Sequence, residues 1–78
     1  MKVILRLDDA GDRYTIYTSK RNLKDVMREM WEEVYNECLA DGTEITEEDT
    51  WFEDDQAQIV SNGWFIVEFK IMDVEEIE

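Results

Sequence analysis

The chain has no histidine, no proline, a single cysteine (Cys38) and only three glycines among its 78 residues. Without histidine, the commonest general base and the commonest transition-metal ligand are both missing. One cysteine excludes an internal disulfide, so nothing indicates an oxidising compartment and the expected location is the cytoplasm. No apolar run has membrane-spanning length. The opening MKVILRL is too short for a signal peptide and leads at once into Asp8 and Asp9. Linkers, internal repeats, low-complexity segments, Gly-rich phosphate loops and catalytic-serine motifs are all lacking. Positive charge is scarce in one region above all. Between positions 29 and 78 Lys70 is the only basic residue, against seventeen carboxylates, whereas positions 1–28 carry seven Lys/Arg and four acids, Asp8, Asp9, Asp12 and Asp25.

The composition nevertheless describes a folded protein. A hydrophobic share of 44% with nine aromatic residues argues against a disordered acidic tail, whose signature is high charge with few aromatics. Residues 1–78 make one domain, of a size that buries about 60% of its unfolded surface. The net charge of −13 repels nucleic acid and anionic membranes and attracts basic protein surfaces, many of which exist to bind nucleic acid.

Residues 2–7 alternate, with Val3, Leu5 and Leu7 opposed to Lys2, Ile4 and Arg6, and residues 13–18 alternate likewise, with Tyr14 and Ile16 on one face. Both read as strands, joined through the turn residues Asp8-Asp9-Ala10-Gly11-Asp12. From Asn22 the period lengthens: Leu23, Val26, Met27, Met30, Trp31, Val34, Cys38 and Leu39 form the apolar stripe of a helix over 22–40. Asn22 is its N-cap, with Ser19 the competing start, and Gly42 suits its left-handed stop. Residues 46–53 fit a short helical turn opened by Thr46 or a loop anchored by Trp51 and Phe52. Gln56–Ser61 and Trp64–Met72 flank Asn62-Gly63, a strong two-residue hairpin signal. That turn pairs Val60 with Phe65, Ile59 with Ile66, Gln58 with Val67 and Asp55 with Lys70. Asp73–Glu78 is expected to fray. The fold predicted is an α+β two-layer sandwich, β-β-α-β-β, with a four-stranded antiparallel sheet and one helix on one face. Leu5, Tyr14, Ile16, Phe65, Val67 and Phe69 would meet Val26, Met30, Val34 and Cys38 in its core. The sequence leaves the strand order open.

Few residues invite chemistry. Cys38 lies on the apolar stripe among acids, the opposite of the electropositive setting a reactive thiolate needs. The acidic clusters lack calcium-loop spacing, and no carboxylate pair is marked for hydrolysis. The expectation is therefore a non-enzymatic protein without cofactor or metal. The helix charges are more informative. Asp25, Glu29, Glu33 and Glu37 form an unbroken i, i+4 series with Glu32 beside it, although like charges at that spacing destabilise a helix and acids near its C-terminus oppose the macrodipole. Solubility alone would be served equally by mixed charges. Carboxylates one turn apart rise about 6 Å along the axis, and the row could act as a phosphate-like array. The stretch 44–55 adds Glu44, Glu47, Glu48, Asp49, Glu53, Asp54 and Asp55.

In this charge layout the chain resembles the small acidic phage-encoded inhibitors of bacterial defence nucleases, the anti-CRISPR and DNA-mimic proteins. The resemblance rests on Asp25/Glu29/Glu32/Glu33/Glu37 and on EITEEDTWFEDD at 44–55, and these inhibitors share no common signature. It implies occlusion of a nuclease's nucleic-acid-binding groove by the acidic surface, inside the host cytoplasm, with a basic protein as partner and no direct contact to nucleic acid or membrane. An immunity protein or antitoxin neutralising a basic toxin would use the same surface. A third reading is a structural, homo-oligomeric protein. There the outer sheet face would carry Ile59, Trp64 and Ile66, joined by Tyr17 and Ile4, as an apolar interface for homodimerisation or an extended partner contact.

Overall fold

In the computed structural model, which describes residues 1–74, strands β1 (Lys2–Asp8) and β2 (Arg13–Tyr17) precede helix α1 (Leu23–Asp41). A single 3-10 turn at Glu47–Asp49 then leads to β3 (Trp51–Phe52), β4 (Gln56–Ser61) and β5 (Trp64–Asp73). The class is the predicted α+β, but the antiparallel sheet has five strands rather than four, in the order β2-β1-β5-β4-β3. The additional strand lies in the 46–53 segment, which is neither a pure helical turn nor a pure loop. Thr46 and Thr50 tie it to the edge of β4: the Thr46 N–H donates to the Val60 carbonyl at 2.8 Å, and the Val60 N–H donates to the Thr50 hydroxyl at 3.0 Å. Trp51 and Phe52 then pair with Gln58 and Ala57.

The helix is bounded by the residues whose chemistry suits those positions. The Asn22 side chain accepts the Asp25 N–H at 3.2 Å, and Gly42, at φ 75°, turns its N–H back on the Cys38 and Leu39 carbonyls. Met27, Val34 and Cys38 face the sheet. They close on Ile4, Ala57, Ile59, Val67 and Phe69, with Val26, Met30, Trp31 and Phe52 packed around them. The Trp31 indole N–H donates to the Gln58 carbonyl at 3.1 Å, so this large ring is anchored as well as packed.

One predicted register and one predicted choice of face are corrected. Asn62 (φ 49°) and Gly63 (φ 83°) form the expected tight turn, and Val60 pairs with Phe65 as predicted. Beyond that pair, however, Ile59 lies opposite Val67, Gln58 opposite Glu68 and Gln56 opposite Lys70, because a bulge inserts Ile66. The unbulged register would place Ala57 against Glu68 and Gln58 against Val67, mixing polar and apolar residues on each face. The extra residue reconciles the turn with the hydrophobic pattern.

The second correction concerns the first hairpin. Ile4, Arg6 and Asp8 pair with Ile71, Phe69 and Val67, the core-facing set of β5. They therefore point toward the helix, and Val3, Leu5 and Leu7 point away from it. Leu5 pairs with Ile16 and Leu7 with Tyr14, so the apolar face of β2 is also turned out. Leu5, Tyr14, Ile16 and Phe65 are accordingly not core residues; Tyr14 is 69% and Ile16 54% exposed. Pairing with β5, a contact distant in sequence, determines which side of β1 goes in. β5 also continues through Asp73, whose carboxylate meets the Met1 ammonium at 3.1 Å, while residues 75–78 of the expected tail lie outside the described residues.

Candidate protein-binding surfaces

All twelve carboxylates of the predicted partner surface are exposed: Asp25, Glu29, Glu32, Glu33 and Glu37 on α1, and Glu44, Glu47, Glu48, Asp49, Glu53, Asp54 and Asp55 between Gly42 and β4. The helix set follows directly from the sheet-facing position of Met27, Val34 and Cys38, which leaves the i, i+4 acid row on the solvent side. The 44–55 set is presented along the β3 edge of the sheet. The opposite edge is β2, whose one basic residue is Arg13.

The two acidic groups do not merge into one field. The flank of α1 that faces the 44–55 segment carries Lys24 and Arg28, one turn apart. The Lys24 ammonium donates to Asp54 at 2.6 Å, and the Arg28 guanidinium lies 4.3 Å from the centroid of the Phe52 ring. Further along the same flank Trp31 stacks on Tyr35 at 5.2 Å, and the Tyr35 hydroxyl donates to Glu47 at 3.3 Å. Arg21, just before the helix, grips the Glu29 carboxylate with both guanidinium nitrogens. That hydrogen bond holds the Glu29 carboxyl below the usual carboxylate range, and the Lys24 bond does the same for Asp54. Among the described residues, the other ten of the twelve make no ion pair within 4.0 Å.

Cys38 is 6% exposed within the core cluster. Burial, then Asp41 and Glu37, push its thiol up, so it stays protonated at neutral pH and lacks the thiolate a nucleophile requires. Among the described residues no three Cys, Asp or Glu side chains converge as a metal-holding group. No described helix is long and apolar enough to cross a membrane.

The predicted apolar interface is dispersed by the bulge and by the inward turn of Ile4 and Tyr17 in the first hairpin. Ile59 is fully buried under the helix, and Ile66 and Tyr17 pack against the core. Trp64, paired with Ser61 at the hairpin tip, remains 54% exposed beside the Asp9–Asp12 turn. A second apolar surface lies on the sheet face turned away from α1, where half-buried Leu5, Leu7 and Trp51 line up across strands with exposed Tyr14 and Ile16. The alternation of β1 and β2 had grouped the residues of the first hairpin correctly; only the side of the sheet was misassigned. No family model, curated protein or solved structure matches the chain.

Proposed function

We propose that this is a non-enzymatic acidic protein that binds a basic, nucleic-acid-binding surface of a protein partner and blocks it, as phage inhibitors of CRISPR or other defence nucleases do. The observation that supports this reading is the low internal compensation of the acidic surface. Among the described residues, ten exposed carboxylates on the outer side of α1 and along the β3 edge make no ion pair within 4.0 Å. Their mutual repulsion works against the fold, and a basic partner would relieve it while surrendering its own counterions. Lys24 and Arg28 divide the surface into a helix row and an edge row, which suits a groove with two basic walls better than a flat patch. A reactive centre finds no support in the buried, protonated Cys38.

The test uses the tagged protein as bait in its native host, with capture at low salt followed by a salt gradient. A basic nucleic-acid-binding protein should be retained and then released as the Debye length falls to about 3 Å near 1 M salt. Its nucleic-acid binding should be competed by the bait. Because Glu29 is held by Arg21, the informative reversal is Glu32/Glu33/Glu37→Lys, which spares that pair. Unchanged capture by this variant and by Glu47/Glu48/Asp49→Lys, or retention indifferent to salt, would refute the proposal.

A further inference from the structure

The open face of the sheet differs from the rest of the molecule in two respects. First, the more apolar side of β1 and β2 is directed away from α1; Val3 is buried there by the chain itself, but Leu5 and Leu7 are only half-buried and Tyr14 and Ile16 stay exposed. A strand normally turns its hydrophobic set toward the core, and a sequence that breaks this rule on two adjacent strands has another surface to satisfy. Second, this face is electrically neutral in a chain of net charge −13. The outward positions of its five strands hold just one acid and one base, Glu68 and Lys70.

Those two charges occupy a telling position. They are two residues apart on β5, the central strand of the five, in a recess of about 190 Å³ walled by Leu5, Leu7 and Trp51. Among the described residues neither makes an ion pair within 4.0 Å. A two-fold axis crossing β5 at Phe69, perpendicular to the strand, carries Glu68 of one copy onto Lys70 of the other, twice. Such an isologous contact is satisfied by the chain itself, whereas the basic partner proposed above would find no net charge here to attract it.

We infer that the open sheet face is a self-association surface, on which a second copy of this chain packs back to back, with Glu68 and Lys70 paired across the two-fold and the apolar rows of β1 and β2 buried around them. The helices then lie on the two outer layers, leaving the acidic rows pointing in opposite directions. Four full strands and the short β3 at about 4.8 Å spacing, each some 20 Å long, give a face on the order of 400 Å² per copy. Two such faces bury about 800 Å² in total, less than the ~1,000 Å² of a stable interface, so the dimer is weak and forms reversibly with concentration. Its salt response is opposite to that of the acidic surface. Two copies of charge −13 repel each other, and screening strengthens their association.

Sedimentation of the purified full chain, from micromolar to millimolar and at physiological and half-molar salt, tests this. The expected result is a monomer–dimer equilibrium that tightens with salt. Ile16→Lys, at a position already 54% exposed, should weaken it about tenfold or more, as should Lys70→Glu, with circular dichroism confirming the fold of each. The charge-swapped Glu68→Lys/Lys70→Glu double variant should recover the dimer, because the facing pairs are restored. A monomer at every concentration and salt overturns the inference, including one whose open face is occupied by a different protein. So does a dimer that Ile16→Lys and Lys70→Glu leave unchanged, or a double variant that stays as weak as Lys70→Glu alone.

Discussion

The two hairpins of this sheet share one layer and face opposite ways. In β4–β5 the apolar residues point toward the helix, where Ile59 and Val67 are fully buried. In β1–β2 Ile4 and Tyr17 join the core, but Val3, Leu5, Leu7, Tyr14 and Ile16 point away from the helix, and Tyr14 and Ile16 are mostly exposed. The C-terminal hairpin therefore builds most of the core, and the N-terminal hairpin chiefly supplies a second apolar surface joined to it edge to edge. Hydrophobic alternation defines a face in both cases. Whether that face becomes interior depends on the neighbouring strand, here β5, whose Val67, Phe69 and Ile71 had already fixed the helix side.

Truncation should separate the hairpins most clearly. Phe69→Ala removes a core ring and should cost about 3–5 kcal/mol, a large part of the ~5–15 kcal/mol that holds a typical domain together. Tyr14→Ala, on the outward hairpin, should fall within the ~0.5 kcal/mol usual for surface positions. Urea melts of the two variants at low protein concentration measure the contrast directly. Equal losses would mean that both hairpins contribute to one interior.

The bulge offers a finer comparison within the second hairpin. Ile59→Ala should cost about 2–5 kcal/mol, whereas Trp64→Ala, at an exposed hairpin tip, should cost far less. An unbulged register reverses that order. Cys38→Ala comes next, at about 1 kcal/mol for a small buried group. It also has a pH signature. The folded thiol holds its proton to higher pH than the unfolded one, so its contribution is complete below the unfolded value of ~8.5 and declines as pH rises beyond it. Cys38→Ala should lack that decline, as read from melts between neutral and alkaline pH.

Smaller effects come from the charged helix. Glu33→Lys replaces two like-charge contacts, with Glu29 and Glu37, by opposite-charge ones and should raise stability by a few tenths of a kcal/mol, an increment that shrinks with added salt. Smallest of all is the contribution of the Arg21–Glu29 and Lys24–Asp54 pairs. Because both carboxyls are held low, their contribution is present at neutral pH and is lost as pH falls through those lowered values. Carboxyl chemical shifts followed through acid titration should show Glu29 and Asp54 protonating at lower pH than ordinary carboxyls.

What was readable in the sequence was local. The helix and its Asn22 and Gly42 caps, the Asn62-Gly63 turn and the exposure of the acid row each follow from neighbours within a few residues. What was not readable depended on partners distant in sequence. The orientation of β1 is set by β5 some sixty residues later. The 46–53 segment gains its strand only because β4 offers Gln58 and Ala57 an unpaired edge. The bulge had a local clue, since the turn register and the alternation of Ala57, Ile59, Val67 and Phe69 disagree by one residue, but it emerges only when the two are compared.

The extra residue in β5 also makes Ile66 the one position of that strand that the hairpin can lose without changing register. Deleting it would close the bulge while leaving Val67 opposite Ile59 and Phe69 opposite Ala57, so Val67, Phe69 and Ile71 would keep their side of the sheet. Loss of Val67 or Phe69 instead takes a buried side chain out of the core. A chain lacking Ile66 should therefore keep its fold with a straighter β5, whereas chains lacking either neighbouring core residue should not.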